Sequence, residues 1–268
     1  MHDAFPACLR DAVRTARDTG RLLLTRTGPA RSPGKLERDA ERYWAAGAGD
    51  QWRNNSHWRD GSQFSSTGLW ETTGQEHLDL YQRLRRASAG HPAPVERIVD
   101  WGCGGGANAV AFAPLATGIT GVDINAESVR ECARQVAEAT AVPFTGVITS
   151  AGQPEQAAAG IARPVSLFLC LYVLELVPSK EHGLRLMKVA HDLLIPDGQA
   201  FVQVKYSDGS WRTRPRRRGY KTALADLTWR VEEFWTAMET AGFRPEAVAL
   251  VPRNELDERY AYFLLTRR

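Results

Sequence analysis

Short apolar runs alternate along this chain with longer segments in which apolar residues recur at helical spacing. The clearest run is Val165–Cys170, which is apolar at nearly every position, as is typical of a parallel strand buried on both faces of a sheet. A helix predicted over residues 125–139 places Val129, Cys132 and Val136 on one face. This alternation predicts an α/β fold built around a parallel sheet.

The remaining periodic segments extend this sheet. Further strands are predicted at residues 98–99, 119–122, 142–148 and 200–206, and further helices at residues 107–116, 179–194 and 231–241. Residues 243–251 and 260–266 alternate between apolar and polar positions, which predicts an antiparallel hairpin at the end of the chain. Residues 91–268 are therefore predicted to form one domain.

The segment before this domain is crowded with aromatic residues next to charged ones, and it holds four of the eight tryptophans. Helices are predicted over residues 3–21, 36–46 and 73–86. We predict that residues 1–90 form a helical extension. Trp52, His57 and Trp58 either contact a ligand or are core residues that hold the extension on the sheet.

Composition adds one feature to this picture. The chain is ordinary for a globular protein, with 43% hydrophobic residues, 24% charged residues and a net charge of +3. Within residues 207–221, however, one acid, Asp208, is opposed by six basic residues: Arg212, Arg214, Arg216, Arg217, Arg218 and Lys221. This loop is either a lid that contacts an acidic acceptor or shapes the pocket with Trp211, Tyr220 and Trp229, or a solvated connection.

Cysteine usage and the absence of long apolar segments narrow the class of protein. Cys8, Cys103, Cys132 and Cys170 show no CxxC pair and no zinc-type spacing with histidine, so we predict free thiols and no metal site. The longest apolar run is shorter than the roughly 20 residues of a membrane helix, and the N terminus has no secretory signal. We therefore expect a cytoplasmic protein with no membrane partner.

The segment that carries chemistry is a strand, a glycine-rich turn, a helix and a second strand. The first strand ends at Asp100, the turn spans residues 102–106, and the second strand ends at Asp123. Glycines let a ligand approach main-chain N–H groups at the positive end of a helix. A carboxylate at Asp123 can accept hydrogen bonds from both ribose hydroxyls. The unit therefore predicts a nucleoside-binding half of a Rossmann-type sheet.

The turn alone leaves two nucleosides open. Gly102, Gly104 and Ala107 also satisfy the dinucleotide fingerprint G-x-G-x-x-A, so an NAD(P)-dependent oxidoreductase is an alternative. Asp100 argues against it, because a negative charge before the turn repels a pyrophosphate and attracts an α-amino group. The motif also lies about a third of the way along the chain, whereas single-domain dehydrogenases usually begin with it.

The sequence D-W-G-C-G-G-G, followed by G-V-D-I-N, resembles the first two motifs of class I S-adenosylmethionine-dependent methyltransferases. Residues 167–178 resemble that family's fourth strand and the segment after it, and residues 193–198 resemble the turn before its fifth strand. The likeness covers roughly residues 92–268. It implies a Rossmann-like, mostly parallel seven-stranded sheet with helices on both faces and an antiparallel last strand, and an extension that caps the cofactor and acceptor pocket.

The resemblance also implies a set of cofactor contacts. S-adenosyl-L-methionine would lie against Asp100, Gly102, Cys103, Gly104, Asp123, Ile124, Ser150, Cys170 and Leu171. The family often has an acidic residue after its third strand to bind the adenine amino group. Here that region reads V-I-T-S-A, so Ser150 or a backbone group must take its place.

These observations predict methyl transfer to a carbon, nitrogen or oxygen atom of a small organic acceptor. One candidate acceptor is a specialised metabolite with an aromatic or indole-like body. The expected acceptor contacts are Trp52, Trp58, Tyr172, Trp211 and Tyr220. Candidate bases are His57, Tyr172, Glu175 and Tyr206. The basic run keeps an RNA-directed methyltransferase as a further alternative, but it is short, so we expect no nucleic acid partner. We expect a monomer or homodimer.

Overall fold

The computed structural model describes residues 31–47, 49–88, 92–215 and 226–268, together with Arg26 and Pro29. The helix predicted over residues 3–21 lies outside these ranges. Tyr220 and four of the basic residues of the predicted loop, at positions 216–218 and 221, also lie outside them.

Eight strands form one sheet. They are β1 (Arg97–Trp101), β2 (Gly118–Asp123), β3 (Phe144–Ile148), β4 (Val165–Cys170), β5 (Leu194–Tyr206), β6 (Thr228–Trp229), β7 (Phe243–Arg253) and β8 (Glu258–Arg267). The order across the sheet is β3-β2-β1-β4-β5-β8-β7, with the two-residue β6 pairing with the end of β5. The neighbouring strands β3, β2, β1, β4 and β5 pair in parallel, and β8 is antiparallel to its neighbours β5 and β7. The predicted sheet and its closing hairpin are confirmed.

Within the described residues, seven α-helices accompany the sheet: α1 (Pro33–Ala46), α2 (Asp50–Asn55), α3 (Leu69–Ala87), α4 (Ala107–Phe112), α5 (Ala126–Ala139), α6 (Lys180–Leu193) and α7 (Val231–Thr240). Side chains cap two of them. The Asn125 oxygen accepts from the N–H groups of Glu127 and Ser128 at the start of α5, and the Ser179 oxygen accepts from the His182 N–H at the start of α6. Among the described helices, none is long and apolar enough to cross a membrane.

The alternation of side chains along β4 creates a core on each face of the sheet. Leu167 and Leu169 pack with residues of α3, α4 and α5 on one face, and Phe168 and Cys170 pack with residues of α6 and α7 on the other. All four side chains are fully buried, which accounts for the continuous apolar run in this central strand.

Helix α3 belongs to the layer on the first of these faces. Gly74 allows its close approach to α4, since a side chain there would stand 2.4 Å from the Ala107 carbonyl oxygen. The Tyr81 hydroxyl donates to the Gln199 side chain in β5 at 3.0 Å. The helix therefore anchors the preceding residues at the edge where β1, β2 and β4 end.

Candidate active site

A pocket lies at the carboxyl ends of β1, β2, β3 and β4. Residues following each of these strands line it, including Gly102, Asp123, Ser150 and Leu171. Residues of α1 and of the segment after α2 line the same pocket from the other side. The pocket thus lies at the topological position where open α/β sheets bind ligands, under a cover formed by the N-terminal extension.

The glycine turn is held by hydrogen bonds within the protein. The N–H groups of Gly102 and Cys103 both donate to the Val122 carbonyl, at 2.7 and 3.0 Å. The Gly105 N–H donates to the Ser56 carbonyl at 2.8 Å. In this arrangement each of these three N–H groups has a partner within the protein, and the approach of a ligand to the turn stays a prediction.

The glycines serve another purpose, which is to let the extension lie against the turn. A side chain at Gly104 would stand 2.3 Å from the Ser56 carbonyl oxygen, and one at Gly105 would stand 2.2 Å from that of His57. Gly104 also has a positive φ of 47°, which disfavours other residues. The turn and residues 56–58 therefore form one packed unit.

Asp123 lies in the pocket, as predicted. One carboxylate oxygen accepts from the Gly104 N–H at 3.0 Å, and the other accepts from the Asn125 N–H at 2.9 Å. Burial raises the pKa of Asp123, although these N–H groups and that of Ile124 act in the opposite direction. Since each carboxylate oxygen has two lone pairs, both can accept a further hydrogen bond from a ligand.

Asp100 is buried at the end of β1 and is not among the residues that line the pocket. Burial, and then the nearby charge of Asp123, raise its pKa to about 7, while the Ala109 N–H acts in the opposite direction. Its Oδ2 atom has no hydrogen-bond partner. The buried carboxylate of Asp100 beside the partly exposed one of Asp123 favours a cationic ligand, which would offset their repulsion.

The end of the pocket next to β3 holds Thr149, Ser150 and Ala151. The Ser150 hydroxyl accepts from the Gln153 N–H at 3.1 Å. The Ala151 N–H donates to Glu41 of α1 at 2.5 Å. The extension thus brings a carboxylate to the region where the sequence lacks an acid, which the sequence analysis did not predict.

Ile124 and Leu171 line the pocket, as does the Cys103 segment, but Cys170 does not. The prediction for Cys170 is wrong because strand alternation turns its side chain into the core with Phe168 and Val202.

The Cys103 thiol hydrogen-bonds Cys132, and that contact and burial hold its pKa well above the usual value. A thiol held in this state is not a nucleophile.

His57 and Tyr172 meet in the pocket lining, with ring centroids 4.8 Å apart and an angle of 66° between the ring planes. Burial, and then the charge of His77, lower the pKa of His57 to about 4, so its ring is neutral near pH 7. The Tyr172 hydroxyl lies 3.0 Å from the Asn254 amide nitrogen and 3.3 Å from the Tyr262 hydroxyl. Tyr172 therefore contributes its ring to the pocket and is engaged elsewhere through its hydroxyl.

Glu175 lines an adjoining cavity rather than the main pocket. Its Oε2 atom accepts from the Gln203 amide at 2.6 Å. Burial raises the pKa of Glu175 to about 7. Glu175 is therefore the candidate base that has a pKa near neutrality and also lines a cavity.

Four other predicted contacts lie elsewhere. Trp52 and Trp58 pack edge to face, with centroids 5.5 Å apart, and line a separate outer cavity next to Ile148. Tyr206 packs against the core on the α6 and α7 face, and Trp211 lies in a short turn over residues 211–213. Neither Tyr206 nor Trp211 lines the described pockets.

Several residues that line the main pocket were missed. They include Ala40, Trp44, Asn55, Ser56, Asn108, His182 and Leu186. The signal that could have found Trp44 is the aromatic content of the extension. The others carry no motif, because their position depends on how the extension and α6 pack against the sheet.

Comparison with known proteins agrees with this geometry. The profile of a family described as methyltransferase domain matches residues 70–248. No curated protein matches the sequence.

Solved structures share the fold at low identity. A 1,6-didemethyltoxoflavin-N1-methyltransferase from Burkholderia thailandensis is 17% identical, with a TM-score of 0.60, over 90% of this chain and 92% of that one. A magnesium protoporphyrin IX methyltransferase from Synechocystis PCC 6803 is 15% identical, with a TM-score of 0.58, over 90% of this chain and 100% of that one. The cyclase SpnF is 16% identical, with a TM-score of 0.51, over 70% of this chain and 80% of that one. These likenesses concern the fold, and the cyclase illustrates that a fold alone does not determine a reaction.

Proposed function

Because the chain belongs to the class I S-adenosylmethionine-dependent methyltransferase family, we propose that its acceptor is a small organic molecule of specialised metabolism. Family membership agrees with the predicted enzyme class and methyl donor, and it argues against the oxidoreductase alternative. The acceptor and the roles of individual residues are inferred below from the pocket.

The residues of the pocket fit the methyl donor. Asp123 presents a carboxylate with free acceptor capacity at the end of β2, suited to ribose hydroxyls. The neighbouring carboxylates of Asp100, which is buried, and Asp123, which is partly exposed, suit a molecule that carries positive charge. The region around Ser150 and Ala151, with Glu41 behind it, suits the adenine. We assign these three groups to the amino acid, sugar and base parts of the cofactor.

S-adenosylmethionine supplies a methyl group on a positively charged sulfur, so the transfer is an in-line displacement. The protein's contribution is to align the acceptor with that methyl group and to exclude water. His57 and Tyr172 place neutral aromatic surfaces at the inner wall of the pocket. Such surfaces attract a sulfonium cation and leave no strong competing nucleophile beside it.

The observation that supports a small acceptor is the cover over the pocket. Residues 56–58 lie in direct contact with the glycine turn, and Asn125 donates to the Trp44 and Ala45 carbonyls of α1 at 2.9 and 3.2 Å. This cover favours a small acceptor over a folded macromolecule. Two enzymes with similar folds are described as methyltransferases of 1,6-didemethyltoxoflavin and of magnesium protoporphyrin IX, which are small molecules.

A screen of candidate metabolites with mass detection tests the proposal, since an accepted molecule gains the mass of one methyl group in place of a hydrogen. Formation of S-adenosylhomocysteine only with RNA or protein would contradict a small acceptor.

Asp123→Ala tests the cofactor site. Loss of charge-assisted hydrogen bonds worth about 1.5–3 kcal/mol each should weaken cofactor affinity at least tenfold in calorimetric titration. Asp79→Ala, an exposed change on α3, is the matched control and should leave affinity unchanged. Equal affinity of the Asp123 variant and the wild-type protein would remove Asp123 from the site.

A further inference from the structure

A second cavity adjoins the pocket assigned to the cofactor. Asn55, His57, Tyr172 and Leu176 line both cavities, so the two cavities adjoin along these residues. The second cavity extends from these residues toward β5 and the turn between β7 and β8. A small molecule bound there would therefore lie next to the pocket that receives the methyl donor.

Carboxylates outnumber cations around this second cavity in the described part of the chain. Glu175, Asp226 and Asp257 line it, together with one ammonium group, that of Lys205. Lys205 contacts the Asp257 carboxylate and lies 3.8 Å from Asp226, and Arg26 donates to Asp226 at 2.6 Å. Two cations thus offset two of the three carboxylates, and Glu175 is left without a cation within ion-pair distance among the described residues.

Gln203 fixes the orientation of Glu175. The Tyr172 N–H donates to the Gln203 side-chain oxygen at 2.6 Å, which leaves the amide nitrogen to donate to Glu175 Oε2 at 2.6 Å. Gln203 is fully buried, and Tyr172 has a positive φ of 58°, a conformation that this hydrogen bond supports. The Oε2 atom must therefore remain an acceptor, and the other carboxylate oxygen is left to exchange a proton with a ligand.

The rest of the cavity suits an amine with an apolar body. Tyr172 and Tyr260 pack edge to face, with centroids 5.0 Å apart, and Leu256 lines the same cavity. Aromatic surfaces attract ammonium groups, whereas a carboxylate on the ligand would face an excess of negative charge.

We propose that this cavity is the acceptor site, that its ligand is a small molecule carrying a basic amine, and that Glu175 binds the amine and takes up its proton. The proposal rests on the proposed methyl-transfer function and narrows the acceptor atom to nitrogen.

The reaction balances without a further reactant. The ammonium group of the acceptor gives one proton to the Glu175 carboxylate, which leaves a neutral amine with a lone pair. That lone pair forms a bond to the methyl carbon while the carbon–sulfur bond breaks, and the electrons of the broken bond remain on sulfur as S-adenosylhomocysteine. The methylated amine leaves as an ammonium ion, and Glu175 returns its proton to water.

The protonation of Glu175 suits this role. Burial raises its pKa to about 7, and the charges of Asp226 and Asp257 act in the same direction, while Lys205 and the Gln203 hydrogen bond lower it. The other titratable groups facing it are neutral near pH 7: His57, Tyr172 and Tyr260. A general base with a pKa near the working pH is the most effective.

Matched ligands test the charge preference. The phenylethyl, indolylethyl and cyclohexylethyl series, each as amine, alcohol and carboxylate, would be titrated into protein saturated with S-adenosylhomocysteine. We expect the amines to bind at least tenfold more tightly than the carboxylates. Alcohols or carboxylates that bind as well as the amines, or a complete absence of amine binding, would overturn the proposal.

The variant Glu175→Gln tests the role of the carboxylate by replacing it with an amide. The oxygen of that amide can still accept the hydrogen bond from Gln203, which should preserve the fold. We expect this variant to bind amines no more tightly than carboxylates. We also expect that the rate of amine methylation by this variant no longer changes with pH near pH 7. Glu239→Gln, on the exposed face of α7, is the matched control and should retain both the amine preference and the pH dependence. An unchanged amine preference in folded Glu175→Gln would contradict the role of Glu175.

Binding of S-adenosylhomocysteine separates the two proposals. A protein that does not bind it would refute the methyl-transfer function itself. A protein that binds it but methylates only oxygen or carbon atoms would refute the amine site alone.

Discussion

The two halves of the active-site region differ in how they are assembled. In the cofactor half, Asp100, the glycine turn and Asp123 come from one continuous β-α-β unit. In the proposed acceptor half, groups come from separate parts of the chain, after α2, after β4, from β5 and from the β7–β8 turn. The first half can be encoded by a local motif. The second depends on the packing of the whole fold, so it can vary in chemistry without a change in the motif.

The contact between these halves is the place where a mutation should have the largest effect. A methyl group at Gly105 would stand 2.2 Å from the His57 carbonyl oxygen and 2.6 Å from Trp58 Cα. These are backbone atoms that cannot rotate away. We expect Gly105→Ala to lower the free energy of unfolding by about 3 kcal/mol, the upper end for overpacking, or to detach residues 56–58, and in either case to abolish turnover.

Gly152→Ala is the control for this change, because its added methyl group would meet no atom within 4 Å. It should alter stability by less than about 0.5 kcal/mol. Denaturant unfolding and limited proteolysis of the extension would measure both outcomes. Wild-type stability and turnover in Gly105→Ala would show that the extension does not rest on the turn in solution.

The same comparison explains what could be predicted from the sequence. The strand Val165–Cys170 and the closing hairpin were predicted because hydrophobic periodicity records burial on the sheet directly. Asp123 was predicted because the motif fixes its place at the end of β2. The choice of Cys170 as a pocket residue was wrong because the last residue of a strand faces either side, and the motif does not specify which.

The acceptor half was predicted less well for a physical reason. Trp52 and Trp58 were chosen for their aromatic character, but such character is equally suited to packing, and they line an outer cavity. Gln203 has no local signature, and its role arises from a hydrogen bond to a residue 31 positions away. The same is true in the cofactor half of Glu41, whose hydrogen-bond partner is 110 positions away. Only the tertiary fold brings these groups together.

An intermediate effect is expected from pH, and it concerns the cofactor half. The pKa of Asp100 is raised to about 7 by burial and by Asp123. A cationic cofactor would stabilise the ionised form and lower that pKa, so binding releases a proton when the free protein is protonated. Affinity should therefore fall about tenfold from about pH 8 to about pH 6.

Calorimetry in two buffers with different ionisation enthalpies would measure this proton release. In Asp100→Asn the pH dependence should become flat, whereas Asp192→Asn, in an exposed ion pair on α6, should retain the wild-type slope. Protonation of Asp100 also contributes to the free energy of unfolding of the free protein at low pH. That contribution is lost as the pH rises through 7. If the affinity of the wild-type protein for the cofactor did not change with pH, the ionisation of Asp100 would not be coupled to cofactor binding.

The smallest effect is expected at the Tyr172 hydroxyl, because the residue lines both cavities but its hydroxyl is engaged by other protein side chains. Its partners are Asn254 and the Tyr262 hydroxyl, and burial raises the pKa of Tyr172 above its usual value, so it is a poor base. Tyr172→Phe keeps the ring against His57 and should cost about 1 kcal/mol of stability for the lost hydrogen bonds. The rate of methyl transfer to an accepted amine should change by less than about threefold. A loss of kcat of a hundredfold or so, with KM unchanged, would instead place the proton transfer on Tyr172 and remove it from Glu175.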